Sequence, residues 1–193
     1  MRAVSLFIAG ALTAGTAIPV LGQPRRQVGA PETFTANANV KGPAGVAAAT
    51  IQIVIDRYTP DAERTAVEAA LKQGGYPAFL IALRKAPVVG HVELGDQKFS
   101  IRWARQTDSN NGRTIVVVTD SPMFFVGGAA AKDAKPREGY EVALIRMVVD
   151  MSGLGSGTMA GAARVKPAPE GGVQVDDYAE EPVKLLTVTR KLT

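Results

Sequence analysis

The chain of 193 residues has no cysteine and only one histidine, His91. Without cysteine it can form no disulfide bond, no thiolate metal site and no thiol-linked lipid anchor. With one histidine, a zinc site of the usual kind would depend almost wholly on carboxylates, so no metal site and no cofactor are predicted. The folded state must therefore be stabilised by a packed apolar core.

Aromatic residues are also scarce, at 6% of the chain, and the formal net charge is only +4. The lysines and arginines are dispersed along the sequence and do not alternate with aromatic residues. A surface that binds single-stranded nucleic acid needs clustered basic side chains and exposed rings on which bases stack. The composition therefore predicts no nucleic-acid partner.

Long apolar runs are absent except at the start, where residues 3–21 follow the single positive charge of Arg2. A positive charge, an apolar run and small residues before a cleavage point are typical of a secretory signal peptide. We therefore predict a signal peptide over residues 1–22 and export to the periplasm or the extracellular space. Cleavage would leave no stable membrane span.

The alternative is a retained anchor, because the run approaches the roughly 20 apolar residues that span a bilayer. Gly10, Gly15 and Pro19 weaken a long helix and favour cleavage. Residues 23–31 hold two prolines and two arginines, so they are predicted as a flexible lead. The remaining residues, 32–193, are long enough for one β-rich domain with a sizeable core.

Strands dominate the predicted domain. Alternation of apolar and polar residues, or enrichment in β-branched residues, indicates strands. Asn111-Gly112 predicts a tight hairpin turn. The predicted strands are 34–41, 51–56, 88–94, 99–104, 114–119, 123–126, 140–151, 158–165, 173–176 and 182–190.

Helical spacing appears only near residues 60–85, where two helices are predicted. The first begins at Thr59 and Pro60, which suit the start of a helix, and stops at Gly74-Gly75. The second runs over 77–85 and ends before Pro87. The prediction is an α+β domain, mainly an antiparallel sheet or barrel-like sheet of about eight or nine strands, in which the helix pair covers one face or plugs one end.

Acidic residues concentrate around Tyr178. Paired carboxylates catalyse the hydrolysis of many glycosides, but only their separation in space identifies them. A carboxylate-based hydrolase, with His91 nearby, is therefore kept as an alternative to a hydrated loop. His91 and Glu93 alone supply no nucleophile or oxyanion donor, so no catalytic residue is predicted. The acidic residues are Asp176, Asp177, Glu180 and Glu181.

Two arginines stand among apolar residues of predicted strands. Arg146 shares a face with Tyr140 and Leu144, and Arg102 follows Ile101, which alternation places on one face with Trp103. An arginine on an apolar face must pair with a carboxylate, reach water or contact a ligand, and pairing is the simpler interpretation. The alternative is a guanidinium that binds an anion in a β-lined pocket with an aromatic wall. The candidate ligand-binding residues are Arg146, Trp103, Tyr140 and Arg102.

Four short segments carry a resemblance to a known group of sequences: Arg57-Tyr58-Thr59, Tyr76-Pro77-Ala78-Phe79, Ile101-Arg102-Trp103-Ala104 and residues 176–182. With these segments the chain resembles an uncharacterised family of exported bacterial proteins. The resemblance covers most of the predicted mature chain. It implies no activity and assigns no functional residue.

The function predicted from the sequence is that of an exported, non-catalytic binding or interaction domain. Its partner would be a small apolar or anionic molecule in a β-lined pocket, or a protein of the cell envelope. The alternatives are the carboxylate-based hydrolase and a purely structural envelope protein. An exposed apolar patch or an unpaired sheet edge would be expected of the structural protein.

Overall fold

A computed structural model describes residues 30–42, 45–126, 129–130 and 135–191. The predicted signal peptide and the predicted lead up to residue 29 lie outside these ranges. The described elements are β1 (Glu32–Gly42), β2 (Gly45–Ile55), α1 (Asp61–Lys85), β3 (Gly90–Leu94), β4 (Gln97–Ser109), β5 (Gly112–Thr119), β6 (Phe125–Val126), β7 (Ala129–Ala130), β8 (Val142–Asp150), β9 (Leu154–Pro167), β10 (Val173–Tyr178) and β11 (Val183–Lys191).

Eight of the strands close into an antiparallel barrel. They pair in the order β9, β11, β1, β2, β3, β4, β5 and β8, and β8 pairs back with β9. The long strand β9 extends beyond this ring, where its second half pairs with the additional strand β10. The strands β6 and β7 pair only with each other. The predicted α+β fold, mostly β and barrel-like, is thereby confirmed.

Apolar side chains fill the inside of the barrel. One buried cluster takes side chains from all eight barrel strands, as the alternation of inward and outward residues requires. An eight-stranded barrel is just wide enough for its interior to be filled in this way. The largest members of this cluster that are fully buried are Phe34, Ile51, Ile53, Ile55, Leu94, Ile101, Ile115, Met123 and Ile145. In the described residues the barrel interior is therefore a packed core.

The predicted pair of separate helices is not confirmed, because a single helix, Asp61–Lys85, spans this part of the chain and is kinked at Gly75. The backbone breaks its helical geometry at Gly75, where φ is 65° and ψ is −162°. Glycine tolerates this positive φ, so the chain bends without leaving a loop between two separate helices. Pro77 lies just after the bend, where its missing N–H and fixed φ are tolerated as at a helix start.

The helix α1 packs on the outside of the barrel. Val67, Leu71, Phe79 and Leu83 of α1 form a second buried cluster with outward-facing strand residues. Along β8, for example, alternate residues belong to the barrel interior and to this outer cluster. The outward-facing partners include Trp103, Val118, Val142 and Leu144. The helix therefore covers part of one outer face and leaves the rest of that face for other contacts.

Candidate ligand-binding cleft

The outer faces of β4, β5, β8 and β9 carry three parallel rows of side chains, each row running across all four strands. The register between neighbouring strands defines the members of each row. The tryptophan row is Trp103, Val118, Leu144 and Ala160; the arginine row is Arg105, Val116, Arg146 and Thr158; the threonine row is Thr107, Thr114, Val148 and Ser156.

A cleft of about 510 Å³ opens over these rows. The opposite wall is the connection from β9 to β10, residues 168–172, together with Val173, Val175 and Tyr178. Small-molecule sites are typically clefts of about 300 to 1,000 Å³ lined by apolar side chains and a few polar groups. The cleft has the size and the mixed lining of such a site, and it lies outside the barrel.

The two ends of the cleft differ in burial and polarity. At the tryptophan row, Trp103 is 1% exposed and Leu144 is 4% exposed, because both pack in the cluster that α1 covers. At the other end, Arg146, Thr107 and Thr158 are exposed. The cleft is therefore apolar where the helix closes it and polar where it opens to water.

Two polar contacts hold the 168–172 connection over the cleft. The amide of Gly172 donates to Oε2 of Glu68 on α1 at 3.0 Å. The guanidinium of Arg105 donates through Nη1 to the carbonyl oxygen of Gly171. One carboxylate and one guanidinium thus join the turn to the helix and to the barrel wall.

Gly172 itself lies against the wall of the cleft. Its φ is 93°, in the region that glycine favours. A Cβ at this position would lie 2.8 Å from Nη1 of Arg105 and 3.4 Å from Cη2 of Trp103. The turn approaches the barrel this closely because residue 172 has no side chain.

The charge of the cleft comes from Arg105, Arg146 and Glu170. Arg105 is engaged with the turn, whereas Arg146 has no hydrogen bond or ion pair to any residue that the structure describes. With two guanidinium groups and one carboxylate, this lining has an excess of positive charge. Arg146 supplies five N–H donors, none of which is used by a residue that the structure describes.

Trp103 adds a second unused donor. Its indole Nε1 is buried and has no acceptor within the described part of the chain. A buried donor without an acceptor costs free energy, so such groups are rare in folded proteins. The tryptophan lines the cleft next to the arginine row.

Of the four candidate residues, Arg146 and Trp103 line the cleft together. Arg102 has partners in the protein, because its Nε donates to Oδ2 of Asp120 at 2.7 Å and its Nη1 to the carbonyl oxygen of Ala86 at 2.9 Å. Tyr140 donates its hydroxyl to Oδ2 of Asp177. Arg102 and Tyr140 are therefore bound within the fold and are not among the lining residues.

A β-bulge separates Trp103 from the residues with which alternation had grouped it. The pairing of β4 with β5 shifts register between Ile101 and Trp103. Ile101 consequently belongs to the barrel interior, whereas Trp103 belongs to the outer cluster. The predicted common face of these two residues is wrong, and the same shift turns Ala104 inward.

The acidic residues of β10 are paired with basic and phenolic groups. Asp176 lies 3.2 Å from Nζ of Lys166 and accepts from Nε of Arg164 at 3.1 Å. The hydrogen bond from Lys166 lowers the pKa of Asp176, and that from Tyr140 lowers the pKa of Asp177. A lowered pKa keeps a carboxyl group ionised, which suits charge pairing and not proton donation.

His91 is on β3, which pairs with β2 and β4 and not with β10. Its Nε2 lies 3.2 Å from Oε1 of Glu93, which also contacts Nζ of Lys98 at 2.9 Å. In the described ranges, no group of three or more histidine, cysteine or acidic residues could hold a metal ion.

No helix among the described residues is both long and apolar enough to cross a membrane.

The chain matches no protein-family model, no curated protein and no solved structure. Any functional inference therefore depends on the chemistry of the cleft itself.

Proposed function

We propose that this protein is an exported, non-catalytic binding domain that holds a small molecule in the cleft on the outer face of its barrel. The proposal rests mainly on the position of Arg146 in the cleft. Arg146 is an exposed guanidinium without a partner among the described residues, and it stands between Leu144 and the open end of a cleft that Trp103 also lines.

The position of the cleft supports this proposal. Its floor consists of strand residues, and the backbones of Val116, Leu144 and Arg146 are paired with a neighbouring strand on each side, so these side chains are held on rigid elements. Its opposite wall is held by Glu68 and Arg105. A ligand would therefore meet a site whose walls are already in place, which lowers the entropic cost of binding.

Binding is favoured over the hydrolase for a chemical reason. Carboxylate-based hydrolysis needs one carboxyl group that stays protonated until it donates. Asp176 and Asp177 are instead held ionised by Lys166, Arg164 and Tyr140, and neither is a lining residue of the cleft.

Native mass spectrometry tests the proposal on protein purified gently from the exported fraction of its own host. We expect the native mass to exceed the denatured mass by that of a non-covalently bound ligand. The denatured mass should equal that of a polypeptide beginning at residue 23. Val116→Phe should reduce the increment, because residue 116 lies in the cleft. Val148→Phe is the matched control, since Val148 is an outward-facing residue in the next row and does not line the cleft.

A bare mass under these conditions would contradict the binding function. A clean oligomer without cargo would instead favour a role in protein interaction or in envelope structure. An intact 1–22 segment would contradict cleavage of the predicted signal peptide and favour the retained anchor, without bearing on the cleft.

A further inference from the structure

We propose that the ligand of the cleft is a compact acid: an acidic group bound between Arg105 and Arg146, on an apolar body about the size of one ring that packs toward Trp103. This inference rests on the proposed binding function and adds the chemical class, the size and the orientation of the ligand.

The acidic group is assigned from the arginine row. Arg105 and Arg146 both lie opposite Val116, one on each neighbouring strand. Neighbouring strands are about 4.8 Å apart, so the two Cα positions are separated by roughly 10 Å. Two long side chains at that spacing can converge on one oxyanion above the small side chain of Val116, and guanidinium groups bind carboxylate or phosphate oxygens in pairs.

Both guanidinium groups keep donors for such a ligand. Arg105 donates through Nη1 to the turn, and its Nη2 lies 3.5 Å from the carbonyl oxygen of Glu170, at the outer limit of a hydrogen bond. Arg146 uses no donor within the described residues. The carboxylate in the lining, Glu170, is exposed at the opposite wall and forms no ion pair with either arginine in that part of the structure.

The orientation follows from the rows on either side. The tryptophan row is apolar and buried, and the threonine row has three hydroxyl side chains and faces the open end. An acid therefore places its apolar body toward Trp103 and Leu144, with Val173 and Val175 on the opposite wall. The reverse orientation would leave the apolar body in water and separate the acidic group from both guanidinium groups, which is unfavourable.

The size limit comes from the closed end. Successive rows are two residues apart along each strand, or roughly 7 Å. Beyond the tryptophan row lie the buried side chains of α1, which belong to the same cluster as Trp103 and Leu144. This spacing is about the width of one ring, so the proposal limits the apolar body to that size, whereas an extended acyl chain directed the same way would meet the buried cluster under the helix.

The test measures binding by fluorescence, because Trp103 is the only tryptophan of the chain. Three probes are compared: cyclohexanecarboxylate, its neutral counterpart cyclohexylmethanol, and the long-chain dodecanoate. We expect cyclohexanecarboxylate to bind at least about tenfold more tightly than cyclohexylmethanol, as charge-assisted hydrogen bonds predict. Dodecanoate should bind no more tightly than the ring acid.

The matched variants are Arg146→Gln and Lys184→Gln. Both remove one exposed positive charge, but only Arg146 lines the cleft. We expect Arg146→Gln to reduce the affinity for the acid about tenfold and to leave the affinity for the alcohol unchanged. Lys184→Gln should change neither.

The outcomes separate the two proposals. If neither the acid nor the alcohol binds, the inference of a compact acid is wrong, and the mass increment in native mass spectrometry decides the binding function separately. If the alcohol binds as tightly as the acid, or if the two variants have equal effects on the acid, the cleft binds ligands but the inference about the acidic group is wrong. If dodecanoate binds at least tenfold more tightly than the ring acid, the size limit is wrong.

Discussion

Arg113 and Arg146 lie on the paired strands β5 and β8, yet their surroundings are opposite. Arg113 points into the barrel, where its side chain is 6% exposed and its Nη1 and Nη2 each donate to Glu32 at 2.8 Å. Nη1 also donates to Gln106, and the guanidinium lies 5.7 Å from the ring centre of Phe34. Arg146 points outward and makes none of these contacts. Folding therefore pairs the first arginine inside the protein, whereas the second has no partner among the described residues.

The region around Arg113 is a buried polar network. Arg190 lies 3.1 Å from the same Glu32, and the hydroxyl of Tyr58 donates to Glu32 at 2.8 Å. Burial and the negative charge of Glu32 raise the pKa of Tyr58 far above its usual range, so this hydroxyl stays a donor. Networks of this kind contribute to a unique structure only when their members are satisfied. Within the described residues, Nε of Arg190 has no partner in this network, whereas in the cleft the whole guanidinium of Arg146 and the indole N–H of Trp103 have none.

The largest loss of stability should follow from replacing Arg113, and the comparison with the same replacement of Arg146 measures the contrast between the two regions. Arg113→Met leaves Glu32 buried with fewer partners, and we expect it to lower the free energy of unfolding by about 3 to 5 kcal/mol. Arg146→Met should change it by less than about 0.5 kcal/mol. Urea unfolding of both variants measures the difference. Equal losses would show that Arg146 has a structural role and would remove the contrast between the two regions.

A smaller effect is expected at the turn that covers the cleft. Gly172→Ala forces a positive φ on alanine, which costs about 1 to 2 kcal/mol, and adds a close contact with Arg105. Gly95→Ala is the control, because Gly95 has φ 60° and no atom within 4 Å of the added Cβ. Urea unfolding should show a larger loss for Gly172→Ala, with a shift in Trp103 emission for that variant alone. An equal loss in both would argue that the turn does not press on Trp103.

Glu68→Ala should lower the free energy of unfolding by a smaller amount, about 1 kcal/mol, because it removes the hydrogen-bond acceptor of the Gly172 amide. Amide hydrogen exchange at Gly172 should become faster, since this amide then has no acceptor from α1. Glu63→Ala is the control on the same helix, where the carboxylate pairs with the partly exposed Arg57 at 3.0 Å. If exchange at Gly172 is unchanged by Glu68→Ala, the helix does not hold the turn.

The smallest effect concerns acid stability at β10. The hydrogen bond from Tyr140 lowers the pKa of Asp177 below its ordinary value of 3.8, so its stabilising contribution is present above that value and is lost as the pH falls through the lower folded-state pKa. In Asp177→Asn the free energy of unfolding should therefore decrease less steeply as the pH falls below about 4. Thermal unfolding between pH 2 and pH 7 measures the slope. An unchanged slope would mean that the hydrogen bond to Tyr140 does not favour the ionised form of Asp177.

The sequence predicted the overall architecture because alternation reports which residues are half-buried, and the barrel strands show it clearly. It placed Trp103 on the wrong face because a bulge depends on the pairing of β4 with β5, which local periodicity does not contain. It predicted two helices because Gly74-Gly75 usually ends a helix, whereas here Gly75 bends one.

The candidate site was partly predictable for a similar reason. Arg146 could be identified from the sequence because its neighbours along the strand show that a charged residue lies on an otherwise apolar face. The partners of Arg102 and Tyr140 are distant in the sequence, Asp120 and Asp177, so their structural roles emerge only in the folded chain. Arg105 was missed because it faces the cleft only after the bulge, and its relation to Arg146 exists only across β5.

The additional strand β10 has one further consequence. In the described part of the chain, every strand of the closed ring has a neighbour on both sides, whereas β10 pairs with β9 alone. An edge of this kind is where another chain can add a strand and begin aggregation. Asp176 and Asp177 place two negative charges on this short strand. Charged side chains on an edge strand are one way in which proteins disfavour such pairing, and two of the four acidic residues considered for hydrolysis lie on this strand, where they pair with Lys166 and Arg164 of β9.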